Sequence, residues 1–196
     1  DQWVLIETCR QGHTWLNQGF HLKSLAVNIS GYELHHSDFA ARVARILEQQ
    51  DFPAHKLTLE FNERALMERE LETYDILTTL SNMGIKLAID DFGSDYSSLA
   101  RLQQLPIEQL KIDRLFIARM SEGDKAAAFV QALLQLGHTL GYQMIAKGVE
   151  SNEQLHFLQL HGCAYYQGFL TSPGVPAGTM QQWLKNTDPL AHNPLI

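Results

Sequence analysis

Short apolar runs alternate with helical patterns along the whole chain, and this alternation limits the fold more than any other feature. Residues 25–29, 57–61, 85–90, 110–113, 143–146 and 165–170 read as six strands. Between them lie helical stretches. Residues 2–17 carry Trp3, Ile6, Cys9 and Leu16 near helical spacing, with Gly19 as a stop. Asp38 is placed to cap a helix bearing Phe39, Val43, Ile46 and Leu47. One helix is expected over about 66–83, ended by Gly84, and a short one over 97–104. An Ala-rich helix runs over about 125–140, and Gly141 ends it. The run Ser151-Asn152-Glu153-Gln154 has the form of a capping box for a helix through Leu158. A last helix holds Met180, Trp183 and Leu184.

Alternating strands and helices make a parallel sheet, and short, mostly apolar strands are buried on both faces. Two architectures remain, an open doubly wound sheet and a barrel. No Gly-rich dinucleotide fingerprint follows any strand. Polar or charged residues instead stand at one strand end after another: Asn28, Glu60, Asp90 with Asp91, Lys111 with Asp113, Lys147 and Gln167. In a β/α barrel all these ends meet at one rim, where the active site lies. The expected fold is therefore an α/β, TIM-like β/α barrel.

Composition narrows the function. The 196 residues are 45% apolar and 19% charged, so a sizeable core can form. Lys and Arg total 15 against 22 Asp and Glu, a net charge of −7, which argues against DNA or RNA as a partner. No apolar run approaches the ~20 residues of a membrane span. Cys9 and Cys163 stand far apart, without metal or redox spacing, and read as two buried thiols of a reducing compartment. His35-His36 is a tempting metal pair, but neighbours point apart on any regular element, and a surface loop is expected. His138, His156 and His161 are assigned to helices as surface or packing residues. One of Tyr165 and Tyr166 can face a ligand while the other packs, because strand neighbours face opposite sides.

Four acids near one rim, Glu60, Glu63, Asp90 and Asp91, need counter-charge. Oxygen ligands from Asn28, Glu60 and Asp90 suit Mg²⁺ or Mn²⁺, and Asp91 can help to hold a second ion. Such a two-metal site activates water for phosphodiester displacement. Lys111 can position that water or neutralise a phosphate oxygen. The plainer alternatives are that Asp90-Asp91 opens a capping loop, that Lys111 makes a rim salt bridge, and that Glu63 faces a helix dipole.

Asn28-Ile29-Ser30, Glu60-Phe61-Asn62-Glu63, Asp90-Asp91-Phe92-Gly93, Tyr96-Ser97-Ser98-Leu99, Lys111-Ile112-Asp113-Arg114, Gly148-Val149-Glu150 and Gln167-Gly168 follow one another in the order of the EAL domain family. The chain resembles that family from its first helix to Trp183. The resemblance implies a modified β/α barrel and, in active members, hydrolysis of cyclic di-GMP to pGpG with Mg²⁺ or Mn²⁺. It implies metal ligation by Asn28, Glu60 and Asp90, with Asp91 on the second ion. It implies a water- or phosphate-contacting role for Lys111 and a loop-tethering role for Glu63. Gln167 matches a site glutamine, and Asp113 is expected to contribute to ligand binding.

Three departures from the family pattern stand out. The Glu-Ala-Leu tripeptide, whose glutamate is a metal ligand in the family, does not occur. Lys147 stands where the family has a metal-site glutamate, so the local charge changes by about two units. Its ammonium is expected to turn inward and bridge Asp91 with Asp90 or Glu60, the alternative being an outward swing to solvent. Asp95 stands where the family has glycine, and Asn62 and Ser94 replace threonines. The expected function is thus a degenerate EAL domain, acting as a cyclic di-GMP sensor or a protein-interaction module. The rivals are an active phosphodiesterase and a scaffold that binds no nucleotide. A homodimer is compatible with the family, and no metal at all is compatible with Lys147.

Strand ends between Asn28 and Gln167 recur about every 28 residues, as β/α units do. Six such units are present, so the barrel is expected to lack its first two strands, residues 1–186 forming an N-terminally incomplete domain and 187–196 a loose tail. Asp1 in first position suggests a piece of a longer product. A cytoplasmic location is expected, though a longer product could be tethered to a membrane.

Overall fold

A computed structural model describes residues 1–94 and 99–186, with the side chains of Glu70, Leu99 and Asn186 left out. Asp95 and the tail at 187–196 therefore lie outside the described residues. The chain opens with helix α1 (Gln2–Asn17), followed by strand β1 (Leu25–Ile29), α2 (Gly31–Leu34) and α3 (Phe39–Gln49). A 3-10 turn at Ala54–Lys56 leads into β2 (Leu57–Asn62), α4 (Glu63–Met67), α5 (Glu70–Asn82) and β3 (Lys86–Phe92). Then come α6 (Leu99–Leu102), β4 (Gln109–Ile112) and α7 (Arg114–Arg119). A second 3-10 turn at Met120–Glu122 precedes α8 (Asp124–Thr139), β5 (Gln143–Lys147), α9 (Asn152–Leu160), β6 (Tyr165–Gln167) and α10 (Ala177–Asn186).

The six strands form one parallel sheet in chain order, β1-β2-β3-β4-β5-β6, curled into a half-barrel. Period-two alternation divides its faces. Val27, Ile29, Leu57, Leu59, Phe61, Leu87, Ile89, Leu110, Ile112, Met144 and Ala146 belong to the buried apolar core with the helices. The opposite face carries the polar series. Asn28 lies in register with Glu60, Asn62 with Asp90, Gln109 with Gln143, and Lys147 with Gln167. Burial on both faces holds for β2 and β4 but not for β1, where Ala26 and Asn28 are exposed. At the sheet's ends, Lys23 donates to the Tyr165 hydroxyl at 2.7 Å and lies 4.1 Å from its ring centroid.

Several expectations from the sequence need correction. The helix expected over 66–83 is two helices, because Arg69 adopts a left-handed φ of 46° between α4 and α5. Asp38 makes no side-chain capping bond; its carboxylate instead meets His36 at 2.9 Å and Arg42 at 3.3 Å. The last strand stops at Gln167 rather than Leu170, since Gly168 lies against the Val149 backbone and leaves the ladder. The adjacent histidines do point apart, but only His36 is on the surface. The His35 side chain is 10% exposed, with Nε2 3.8 Å from Glu68. His161 is the C-cap of α9 rather than part of it. The capping box at Ser151 and the burial of both cysteines are as expected. Among the described residues, no helix is long and apolar enough to cross a membrane.

Candidate functional site

The polar face of the sheet gathers its charges at the C-terminal ends of β2, β3, β4 and β5. Glu60 comes from β2 and Lys111 from β4, and both are buried. Lys111 Nζ donates to both Glu60 oxygens, at 2.7 and 2.6 Å. A charge pair removed from water needs all its polar atoms answered, and this two-oxygen contact does so for the carboxylate.

Asp90 and Asp91 require a different construction. A regular strand sends consecutive side chains to opposite faces. Here β3 and β4 fall out of register between Ile89 and Phe92, so β3 carries an extra residue opposite β4. Asp91 also takes a left-handed φ of 54°, which Asp tolerates better than most residues. Both carboxylates thereby reach one ammonium. Lys147 Nζ donates to Asp90 Oδ1 at 2.6 Å and to Asp91 Oδ1 at 2.8 Å. Burial pulls the Lys147 pKa down, but the hydrogen bonds and charges of the two aspartates outweigh this and hold it above the ordinary lysine value. Lys147 thus faces inward and meets Asp90 and Asp91; Glu60 is taken by Lys111.

Glu63 opens α4 and is buried. Its Oε2 accepts the Gly93 N–H at 3.1 Å, so α4 is tied to the turn that follows β3. Gly93 has a φ of 92°, and an added Cβ would stand 3.2 Å from Phe116. Asp113 caps α7, accepting the Leu115 N–H at 2.8 Å, so one of its oxygens is already committed. Asn28 and Gln167 are exposed on the outermost strands. The bulge, which turns both aspartates to one side, is the feature that sequence reasoning missed. The positive-φ Asp91 before Phe92-Gly93 leaves no mark in the hydrophobic pattern.

The donor set fits a divalent-ion site poorly. Both oxygens of Glu60 are bound to one ammonium, and Asp90 and Asp91 share another. Among the described residues, no group of three or more His, Cys, Asp or Glu side chains is placed to hold a metal ion. Two tethered cations offset part of the charge of the four acids.

The EAL domain family model matches residues 1–174. The chain belongs to the EAL domain family. It is 40% identical over 176 residues to the bifunctional diguanylate cyclase/cyclic di-GMP phosphodiesterase MucR of Pseudomonas aeruginosa, an alignment that covers 90% of this chain and 26% of that protein. The solved MucR phosphodiesterase in complex with cyclic di-GMP superimposes with a TM-score of 0.87 at 39% identity, over 91% of this EAL domain and 72% of that chain. The EAL domain of Mycobacterium smegmatis DcpA superimposes with a TM-score of 0.89 at 34% identity, over 94% and 83% of the two chains. The chain spans about a quarter of the length of the curated relatives it matches. Recognition of the family from the strand-end motifs, and the barrel-like α/β fold, are thereby borne out.

Proposed function

We propose that this EAL domain serves bacterial signalling as a cyclic di-GMP sensor or a protein-interaction module, with its phosphodiesterase chemistry impaired. The carrying observation is the Lys147 ammonium, hydrogen-bonded to Asp90 and Asp91 at 2.6 and 2.8 Å. A divalent ion shared by these carboxylates would face this positive charge at close range. At ~4 Å and an effective dielectric of ~20, each pair of unit charges repels by roughly 4 kcal/mol. Binding is less demanding than turnover. Gln167, Asp113 and the exposed Asn28 remain at the rim for a nucleotide. In this reading Lys111 and Glu63 keep structural roles, one on Glu60 and the other on the Gly93 turn.

The second reading is an active Mg²⁺- or Mn²⁺-dependent phosphodiesterase, and the 40% identity to MucR supports it. The full-length protein decides between them when assayed on cyclic di-GMP with either ion. Turnover at a rate ordinary for the family overturns the impaired reading. Calorimetry with cyclic di-GMP then separates sensor from scaffold, and absence of binding heat removes the sensor. Lys147→Glu is expected to raise hydrolysis or metal binding; no change in either places the defect elsewhere.

A further inference from the structure

Asp90 and Asp91 are neighbours in sequence, yet both carboxylates meet one atom, Lys147 Nζ. Three backbone features make this possible. The β3–β4 register shifts between Ile89 and Phe92, Asp91 sits at a φ of 54°, and Gly93 at 92°. A left-handed non-glycine residue is unfavourable by itself, and two converging carboxylates repel. Something must hold the turn. Glu63 holds one side through the Gly93 N–H, and Ser94 closes the turn onto the Asp91 carbonyl, with N at 3.2 Å and Oγ at 2.7 Å. Neither contact supplies positive charge to the paired aspartates. Lys147 supplies it.

The reach is set by the sheet. Lys147 ends β5, and β4 separates β5 from β3, so the strands in question lie about 10 Å apart. A lysine stem and an aspartate together cover that span, whereas a glutamate at 147 would bring a third carboxylate to the same point. We propose that Lys147 is a positioning residue, a tethered cation that holds the strained Asp90–Gly93 turn in place of a divalent ion and so makes its geometry independent of metal. The proposal rests on the reading that Lys147 displaces an ion from the aspartates. Its test uses no nucleotide and no turnover, so it can fail while cyclic di-GMP binding stands.

The readout is hydrogen exchange at the Gly93 and Ser94 amides of the purified protein, in EDTA and with excess Mn²⁺. The wild-type rates are expected to agree within about twofold in the two buffers, because the cation is already built in. Lys147→Met is expected to speed exchange about tenfold or more in both. Lys147→Arg, which keeps charge and reach, is expected to stay within about threefold of wild type. Lys147→Glu is expected to exchange fast in EDTA and to be slowed about tenfold by Mn²⁺. Slowing of wild-type exchange about tenfold by Mn²⁺ overturns the proposal, and so does a Lys147→Met protein that exchanges as slowly as wild type. If Lys147→Met does not fold, the contrast between wild type and Lys147→Glu on adding Mn²⁺ decides, and equal responses overturn it.

Discussion

Lys111 and Glu60, 51 residues apart in sequence, form a pair in which one ammonium bonds both carboxylate oxygens while the side chains are only 8% and 5% exposed. Removing one partner leaves the other charge buried and unanswered. Lys111→Met is expected to lower stability by about 3–5 kcal/mol in urea denaturation. The double variant Lys111→Met/Glu60→Gln is expected to recover more than half of that loss. A single variant as stable as wild type would show that the pair is hydrated or dispensable.

Burial pushes the Cys9 and Cys163 thiols up from 9.0 to about 11. A raised acid pKa means that the folded chain retains protons which the unfolded chain has lost. The associated stability is complete below about pH 9 and disappears as pH rises through about 11, at about 2–3 kcal/mol per thiol. Unfolding free energies at pH 8 and pH 11 are therefore expected to differ more in wild type than in Cys9→Ala/Cys163→Ala. Equal pH dependence in the two proteins would contradict this.

Gly168 and Gly137 both lack room for a methyl group, but their neighbours differ. A Cβ at Gly168 would run into the Val149 backbone, while one at Gly137 would meet the Met144 side chain. Backbone cannot step aside, and Val149 is held by bonds from its N–H to the Gln167 carbonyl and from Leu170 to its own carbonyl. Gly168→Ala is expected to cost about 3 kcal/mol or more, and Gly137→Ala about 1–2 kcal/mol. Thermal melts of the two variants check the order, and a reversed order would mean the β6 exit is pliable.

Gln154 does more than complete a capping box. Its Oε1 accepts from Glu150 and Ser151 N–H at 2.7 and 3.1 Å, and its Nε2 donates to the Ile117 carbonyl at 3.2 Å, joining α9 to α7. Ser151→Ala removes one capping bond and is expected to cost about 1 kcal/mol. Gln154→Ala removes three bonds and is expected to cost about twice that. Denaturant midpoints of the two single variants check the ratio.

Much of the fold could be read in the chain because its signals are local. The Ser151 box needs only four residues, and the six strands announce themselves by short apolar runs between helical stretches. The break at Arg69 was hidden, since the residues around it favour helix, yet Arg69 turns left-handed at a φ of 46° and the Thr73 hydroxyl donates to the Glu68 carbonyl at 2.8 Å. The inward His35 was hidden as well: the carboxylate nearest its Nε2, at 3.8 Å, belongs to Glu68, 33 positions further on.

The same division runs through the site. By itself, the sequence determined the family, the parallel alternation and the row of polar strand ends, because Asn28, Glu60, Asp90, Lys111, Lys147 and Gln167 lie at the ends of successive apolar runs, and the ends of parallel strands meet at one rim. Tertiary structure alone decided which cation answers which acid. Glu60 faces Lys111 across β3, and the bulge in β3 turns Asp91 beside Asp90 within reach of Lys147. Charge pairing is governed by distances of a few ångströms between separate strands, and those depend on register and backbone strain that no residue pattern encodes.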